Sequence, residues 1–235
     1  RHQYIDHNPL RDAERPRKQA ASGGIRKDKM AILTPDQIRV FLEKTLEQKQ
    51  HSQKFHMLFM LAIFSGMRQG ELLGLKWCDV DSENKQIHVQ RTYTKARFFS
   101  PKTETSDRKI DVGPKVMAEF KKWKLACPPN ELDLVFPNED GEPINYSNMV
   151  QRHFFPALKE AGISRIRFHD LRHTFASLLI DQGENIKYVQ NQLGHSSPMV
   201  TLNVYAHLMK PTNQEAACRL EGSIFQSCDQ KSGSH

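Results

Sequence analysis

Apolar positions in this chain recur at helical spacing from about residue 34 to about 75 and again after about residue 114, and alternate with polar ones in between. Thr34-Pro35-Asp36-Gln37 supplies an N-cap, a proline at the first helical position and a capping-box glutamine. Apolar Ile38, Phe41, Leu42 and Leu46 follow, so a helix is predicted from there to about residue 49. A second helix is predicted over 53–64, breaking at Ser65-Gly66, and a third over 68–75. The period then changes, because Ile87 and Val89 alternate with polar residues, as do Ile110 and Val112. A small antiparallel sheet is expected over about 85–112, with the polar stretch 104–107 as a turn. Helical spacing returns over about 114–125, 145–161, 169–182, 185–193 and 198–207. The fold class is therefore α+β, predominantly helical with a small antiparallel sheet.

Residues 1–29 hold Arg11, Arg15, Arg17, Lys18, Arg26, Lys27 and Lys29 around Ser22-Gly23-Gly24, with almost no apolar periodicity. They read as a basic linker, residues 30–220 as one folded domain, and residues 221–235 as a polar C-terminal tail. The stretch 212–220 reads as a short helix, which could pack on its own core or on a neighbouring protomer. Composition excludes several classes. With 38% hydrophobic and 26% charged residues over 235 positions, disorder and fibre are poor readings. The most apolar run, His56 to Phe64, is too short to span a bilayer. There is no secretory leader at the start, and the chain reads as part of a longer cytoplasmic protein with no membrane partner. Cys78, Cys127, Cys218 and Cys228 lie far apart, which suggests reduced thiols and neither a zinc site nor a disulfide framework. A net charge of +7 makes a polyanionic partner plausible without proving one.

Several residues could carry chemistry, although each has an ordinary explanation. His169 and Arg172 are three apart at a predicted helix start, where they share a face and where anions are favoured. A solvated pair is the commoner reason for such spacing. Arg68 could simply pair with Glu71 one turn later. In Leu193-Gly194-His195-Ser196-Ser197-Pro198, Gly194 can end one helix and Ser197-Pro198 can open the next, so His195 has a capping reading. Tyr205 stands ten positions after His195, and alone it is no better a candidate than Tyr4, Tyr93, Tyr146 or Tyr188. Tyr188, between Ile186 and Val189, has the better claim to the core.

Their order along the chain changes the picture. Gly66-Met67-Arg68-Gln69-Gly70-Glu71-Leu72, then Pro101-Lys102-Thr103, then His169-Asp170-Leu171-Arg172-His173-Thr174, then Leu193-Gly194-His195, then Tyr205 resemble the tyrosine site-specific recombinases of the phage-integrase family. The resemblance runs from about Leu33 to His207. It implies the recombinase catalytic-domain fold and one pocket around a DNA phosphate made by Arg68, Lys102, His169, Arg172, His195 and Tyr205. Tyr205 would attack the phosphate, with the Arg68 and Arg172 guanidiniums clamping its nonbridging oxygens. His169 would take the tyrosine proton, Lys102 would protonate the departing 5′ oxygen, and His195 would donate a hydrogen bond. The product would be a 3′-phosphotyrosyl DNA, formed without cofactor, metal or ATP. The implied partners are double-stranded DNA, further copies of the full-length chain in a tetramer, and accessory DNA-bending or directionality proteins. Residues 1–29 would join this domain to an N-terminal DNA-binding domain. The competing readings are a type IB topoisomerase and a DNA-binding regulator that has kept the fold without catalysis.

Overall fold

The computed structural model describes residues 30–47, 53–100, 107–205 and 214–225. The chain divides into two units, Arg1–Met30 and Ala31–His235, and the second carries the elements below. Lys102, the tip of its loop and the segment 206–213 lie outside the described residues.

The first helix, α1 (Pro35–Glu47), starts on the predicted capping box. The Thr34 amide donates to Gln37 Oε1 at 3.0 Å, and the Gln37 amide donates to Thr34 Oγ1 at 3.2 Å. Next, α2 (Gln53–Ser65) is apolar on nearly every side and is the central core helix. It packs against α1, α4 (Pro114–Ala126) and α7 (Asp170–Asp181). Phe41, Phe59, Phe154 and Phe168 meet there at centroid distances of 5.3–6.0 Å. Phe168 immediately precedes His169, so this aromatic cluster anchors the start of α7.

Helix α3 (Gln69–Leu73) is shorter than the predicted 68–75, and Arg68 is its N-cap. The expected sheet exists as β1 (Val80–Asp81), β2 (Gln86–Val89) and β5 (Arg108–Asp111), antiparallel in the order β1-β2-β5. A separate ribbon of β3 (Thr92–Thr94) and β4 (Arg97–Phe99) was not anticipated. Its turn, Lys95-Ala96, has both residues at positive φ and lacks the Asn or Gly that signals such a turn in sequence. The ribbon lies on α3 closely enough that a Cβ at Gly70 would sit 2.4 Å from Thr92 Oγ1.

The predicted helix 145–161 is realised as α5 (Tyr146–Met149), a π turn (Val150–Phe154) and α6 (Phe155–Glu160). Pro156 explains the wide turn, since its ring would clash with the residue-152 carbonyl of a regular α-helix. Then come α7, α8 (Ile186–Leu193), α9 (Pro198–Tyr205) and α10 (Gln214–Phe225). The last runs past residue 220 into the stretch expected as tail, and it exposes Leu220, Ile224 and Phe225. The described cysteines, Cys78, Cys127 and Cys218, are free thiols. Among the described residues, no helix is long and apolar enough to cross a membrane.

Candidate functional site

The site is organised by the C-terminal end of α8. A helix leaves its last carbonyls without intrahelical partners, and they carry the negative end of its dipole. Here Gly194, at φ 63° and ψ 46°, turns the chain away and leaves three consecutive carbonyls exposed to side chains. Each takes a different guanidinium. Arg108 Nε donates to Gln192 O at 2.8 Å, Arg172 Nη2 to Leu193 O at 2.6 Å, and Arg68 Nη2 to Gly194 O at 2.9 Å. Arg172 also donates through Nη1 to Gly66 O at 2.6 Å. It therefore ties the break after α2 to the end of α8.

Glu71 provides the counter-charge. Its carboxylate accepts from the Arg68 backbone amide and Nη1, both at 2.8 Å, and from Arg108 Nη1 at 3.1 Å and Nη2 at 3.0 Å. Burial alone would push this carboxyl up, but the hydrogen bonds and charge of Arg108, then of Arg68, hold it below its ordinary value. Arg172 and Arg108 are buried, whereas the Arg68 side chain is 39% exposed. Burial and the neighbouring Arg68 lower the Arg172 pKa. Arg172 remains a cation, because a guanidinium bound to two carbonyls does not give up its proton near neutral pH.

Three imidazoles surround this cluster. His169 is exposed at the start of α7 and His195 is half-buried after α8. Each has its pKa lowered to about 4, first by burial and then by neighbouring positive groups: His173 and Arg172 for His169, Arg172 and Arg68 for His195. Both are neutral at physiological pH. His195 Nδ1 lies 2.9 Å from Thr201 Oγ1 on α9. His173 Nδ1 lies 2.6 Å from the Tyr205 hydroxyl, and the His169 ring meets the His173 ring edge-on with centroids 4.9 Å apart. Asp170, buried at the first turn of α7, holds that turn by accepting from the Arg167 backbone amide at 3.0 Å and from Arg167 Nη2 at 2.8 Å.

Of the expected residues, Arg68, Arg172 and His195 meet at the α8 terminus, and His169 reaches Tyr205 through His173. Lys102 falls outside the described residues. One expectation changes. Tyr205 is 1% exposed while Tyr188 is only half-buried, so the tyrosine with the stronger place in the core is Tyr205. The Tyr188 hydroxyl instead donates to Asp111 Oδ2 at the surface, at 3.2 Å. Sequence reasoning missed Arg108 and His173. Arg108 shares parity with Ile110 and Val112 on a strand, which places it on the buried face; it pairs across to Val89. For His173, the signal is its place one residue after Arg172 and four after His169. The result is a cluster of planar cationic donors, neutral imidazoles and one hydroxyl, a set of groups suited to binding an anion such as a phosphodiester and to moving a proton at an oxygen.

The phage integrase family model matches residues 31–211. A tyrosine recombinase XerC-like protein of Caldanaerobacter subterraneus subsp. tengcongensis is 30% identical over 80% of this chain and 55% of its own length. The ICEBs1 integrase of Bacillus subtilis is 29% identical over 82% of this chain and 55% of its own length. The chain thus spans about half the length of these curated relatives. A structure of the Tn1549 transposon integrase in complex with circular intermediate DNA superposes with a TM-score of 0.71 at 26% identity, covering 83% of this chain and 68% of that one. The catalytic domain of the bacteriophage HP1 integrase shares the fold, with a TM-score of 0.56 over 83% of this chain and 97% of that domain.

Proposed function

The chain belongs to the phage integrase family, and on that premise we propose that it is a site-specific DNA recombinase working through a 3′-phosphotyrosyl intermediate on Tyr205. The carrying observation is the set of guanidiniums docked on consecutive α8 carbonyls beside the hydrogen-bonded Tyr205 hydroxyl. Arg68 and Arg172 hold the nonbridging oxygens of the scissile phosphate, where charge builds as the tyrosine attacks. Arg172 spends two of its five donors on backbone carbonyls, which fix the plane of its guanidinium before substrate arrives. Arg68, being partly exposed, meets the phosphate from the solvent side. His195 and His169, neutral at physiological pH, donate hydrogen bonds to phosphate oxygens. The family resemblance implies that His169 takes the proton of Tyr205, but His173 is the residue on that hydroxyl. Lys102 protonates the 5′ oxygen as it leaves. No cofactor, metal or ATP is needed, because the phosphotyrosyl bond conserves the energy of the bond broken.

The substrate is double-stranded DNA of a phage or other mobile element in the cytoplasm, integrated or excised by a tetramer of the full-length protein. The ICEBs1 integrase and the Tn1549 transposon integrase among the similar proteins favour this over DNA relaxation. Packing between protomers would cover the exposed Leu220, Ile224 and Phe225 of α10. DNA-bending or directionality proteins assist, and residues 1–29 link to an N-terminal DNA-binding domain.

Covalent trapping tests the reading. A pool of nicked duplexes, randomised on both sides of one fixed scissile phosphate, should yield an adduct on denaturing gels with the wild-type chain. Tyr205→Phe should yield none while keeping noncovalent DNA binding, since only the attacking oxygen is lost. An adduct that persists in Tyr205→Phe and disappears in Tyr188→Phe would move the nucleophile.

A further inference from the structure

Resting on the phosphotyrosyl reading above, we propose that His173 is a catalytic residue: its Nδ1 accepts the Tyr205 proton as the tyrosine oxygen attacks phosphorus. The 2.6 Å contact is short, and the hydroxyl making it is almost fully removed from solvent. Bulk water is therefore a poor alternative acceptor. Two elements fix the pair, with His173 in the first turns of α7 directly after Arg172 and Tyr205 at the end of α9. The rings are 5.8 Å apart and inclined by 59°, so the contact is made edge to hydroxyl and leaves the ring faces apart. For Nδ1 to accept, the imidazole carries its own proton on Nε2.

Burial favours the neutral form of His173, and the charged and titratable groups around it act in both directions. They are His169, Asp170 and Arg172 on its own helix, Arg167 just ahead of it, His195 after α8 and Tyr205 on α9. Burial keeps the imidazole below its ordinary pKa; Asp170 is the strongest charged influence and pulls the other way, while Arg167 and Arg172 add smaller contributions on the side of burial. Burial pushes the Tyr205 hydroxyl up to about 12, so the resting pair holds the proton on oxygen. Transfer becomes downhill only as the O–P bond forms and the phenolic oxygen loses its basicity, which is the condition for general-base catalysis.

The step balances. The Tyr205 Oη–P bond forms, the P–O5′ bond breaks, the tyrosine proton passes to His173 Nδ1, and the 5′ oxygen receives a proton from the separate acid assigned to Lys102. Rejoining runs in reverse, with His173 returning the proton to the tyrosine. His169, exposed and edge-on to His173, is left to the phosphate.

The experiment compares the 235-residue chain with its His173→Gly, His173→Gln and His169→Gly variants on the same nicked pool. The pool is made with either oxygen or sulfur as the 5′-bridging atom. Removal of the base should slow adduct formation roughly 10²- to 10⁴-fold on both substrates, because sulfur repairs only the leaving group. Added imidazoles should restore His173→Gly, in order of their basicity. His173→Gln, which can hold the hydroxyl through its amide oxygen but cannot take its proton, should stay slow; it decides the matter if His173→Gly does not fold. The proposal is overturned if His173→Gln cleaves at the wild-type rate, if His173→Gly cleaves faster than wild type, or if sulfur restores either variant. Imidazole rescue confined to His169→Gly also overturns it and returns the role to His169. If the wild-type chain forms no adduct at Tyr205, the phosphotyrosyl reading itself fails and this inference goes with it; an adduct with His173 variants at full rate removes this inference alone.

Discussion

Arg108 puts a full positive charge on the inward face of a strand, and Glu71 opposite is what makes that tolerable. Both side chains are nearly inaccessible, at 6% and 5% exposure, and their contact is bidentate. Removing one partner of such a pair strands the other in the interior, so Arg108→Met should cost about 3–5 kcal/mol in urea denaturation. The double variant Arg108→Met with Glu71→Met should recover much of that stability but little activity, since Arg68 would have lost the carboxylate that aims it. Equal stability for Arg108→Met and wild type would show that the pair holds nothing. The same carboxylate sets a pH dependence. Glu71 has its folded pKa below the ordinary 4.5, so its stabilising contribution is complete above 4.5 and disappears as pH falls through the folded value. In Glu71→Gln that part of the acid destabilisation should be missing.

At the scale of elements, one helix end organises the site, and one glycine makes that end possible. Gly194 sits in the left-handed region, where a side chain costs about 1–2 kcal/mol. A Cβ there would also stand 2.8 Å from Arg108 Nη1 and 2.9 Å from its Cδ. Gly194→Ala should therefore lose stability through both effects, measurably in thermal or urea unfolding. Asn tolerates the backbone conformation but still carries a Cβ, so Gly194→Asn separates strain from crowding: adduct formation should fall in both variants. If Gly194→Asn cleaves normally, the approach of Arg108 to this turn does not matter to the site. This turn was legible in the sequence, as were the capping box of α1 and the alternation of Ile87, Val89, Ile110 and Val112. In each case the local chemistry and the fold want the same thing. The ribbon β3–β4 was not legible, because Lys95-Ala96 carries no turn signal and its strands are held by contact with α3. The order of the motif residues placed Arg68, Arg172 and Tyr205, but nothing local to Tyr205 told that it would be buried. That depends on α7 lying against α9, a tertiary fact, and it is also why His173 went unremarked.

Across the whole molecule the net charge is +7, but it is not evenly spread along the chain. Residues 1–29 hold eight Arg and Lys against four Asp and Glu, which leaves only +3 for residues 30–235. The charge needed for chemistry and the charge available for general attraction to DNA are thus largely carried by different parts of the sequence. Phosphate contacts release counterions, and each steepens the fall of log affinity with log salt by about 0.9 on duplex DNA. A chain starting at Met30 should bind a linear duplex more weakly at low salt, with a slope shallower by about 2 to 3, as the loss of two or three phosphate contacts would give. Arg68→Ala, by contrast, removes a single contact and should change the slope by about 1 at most, while cutting adduct formation far more severely. Fluorescence anisotropy over a salt series, with trapping on the nicked pool in parallel, reads both quantities. Were the shortened chain to keep the full slope, the affinity for DNA would have to come from the folded domain itself, and the excess charge ahead of it would need another purpose.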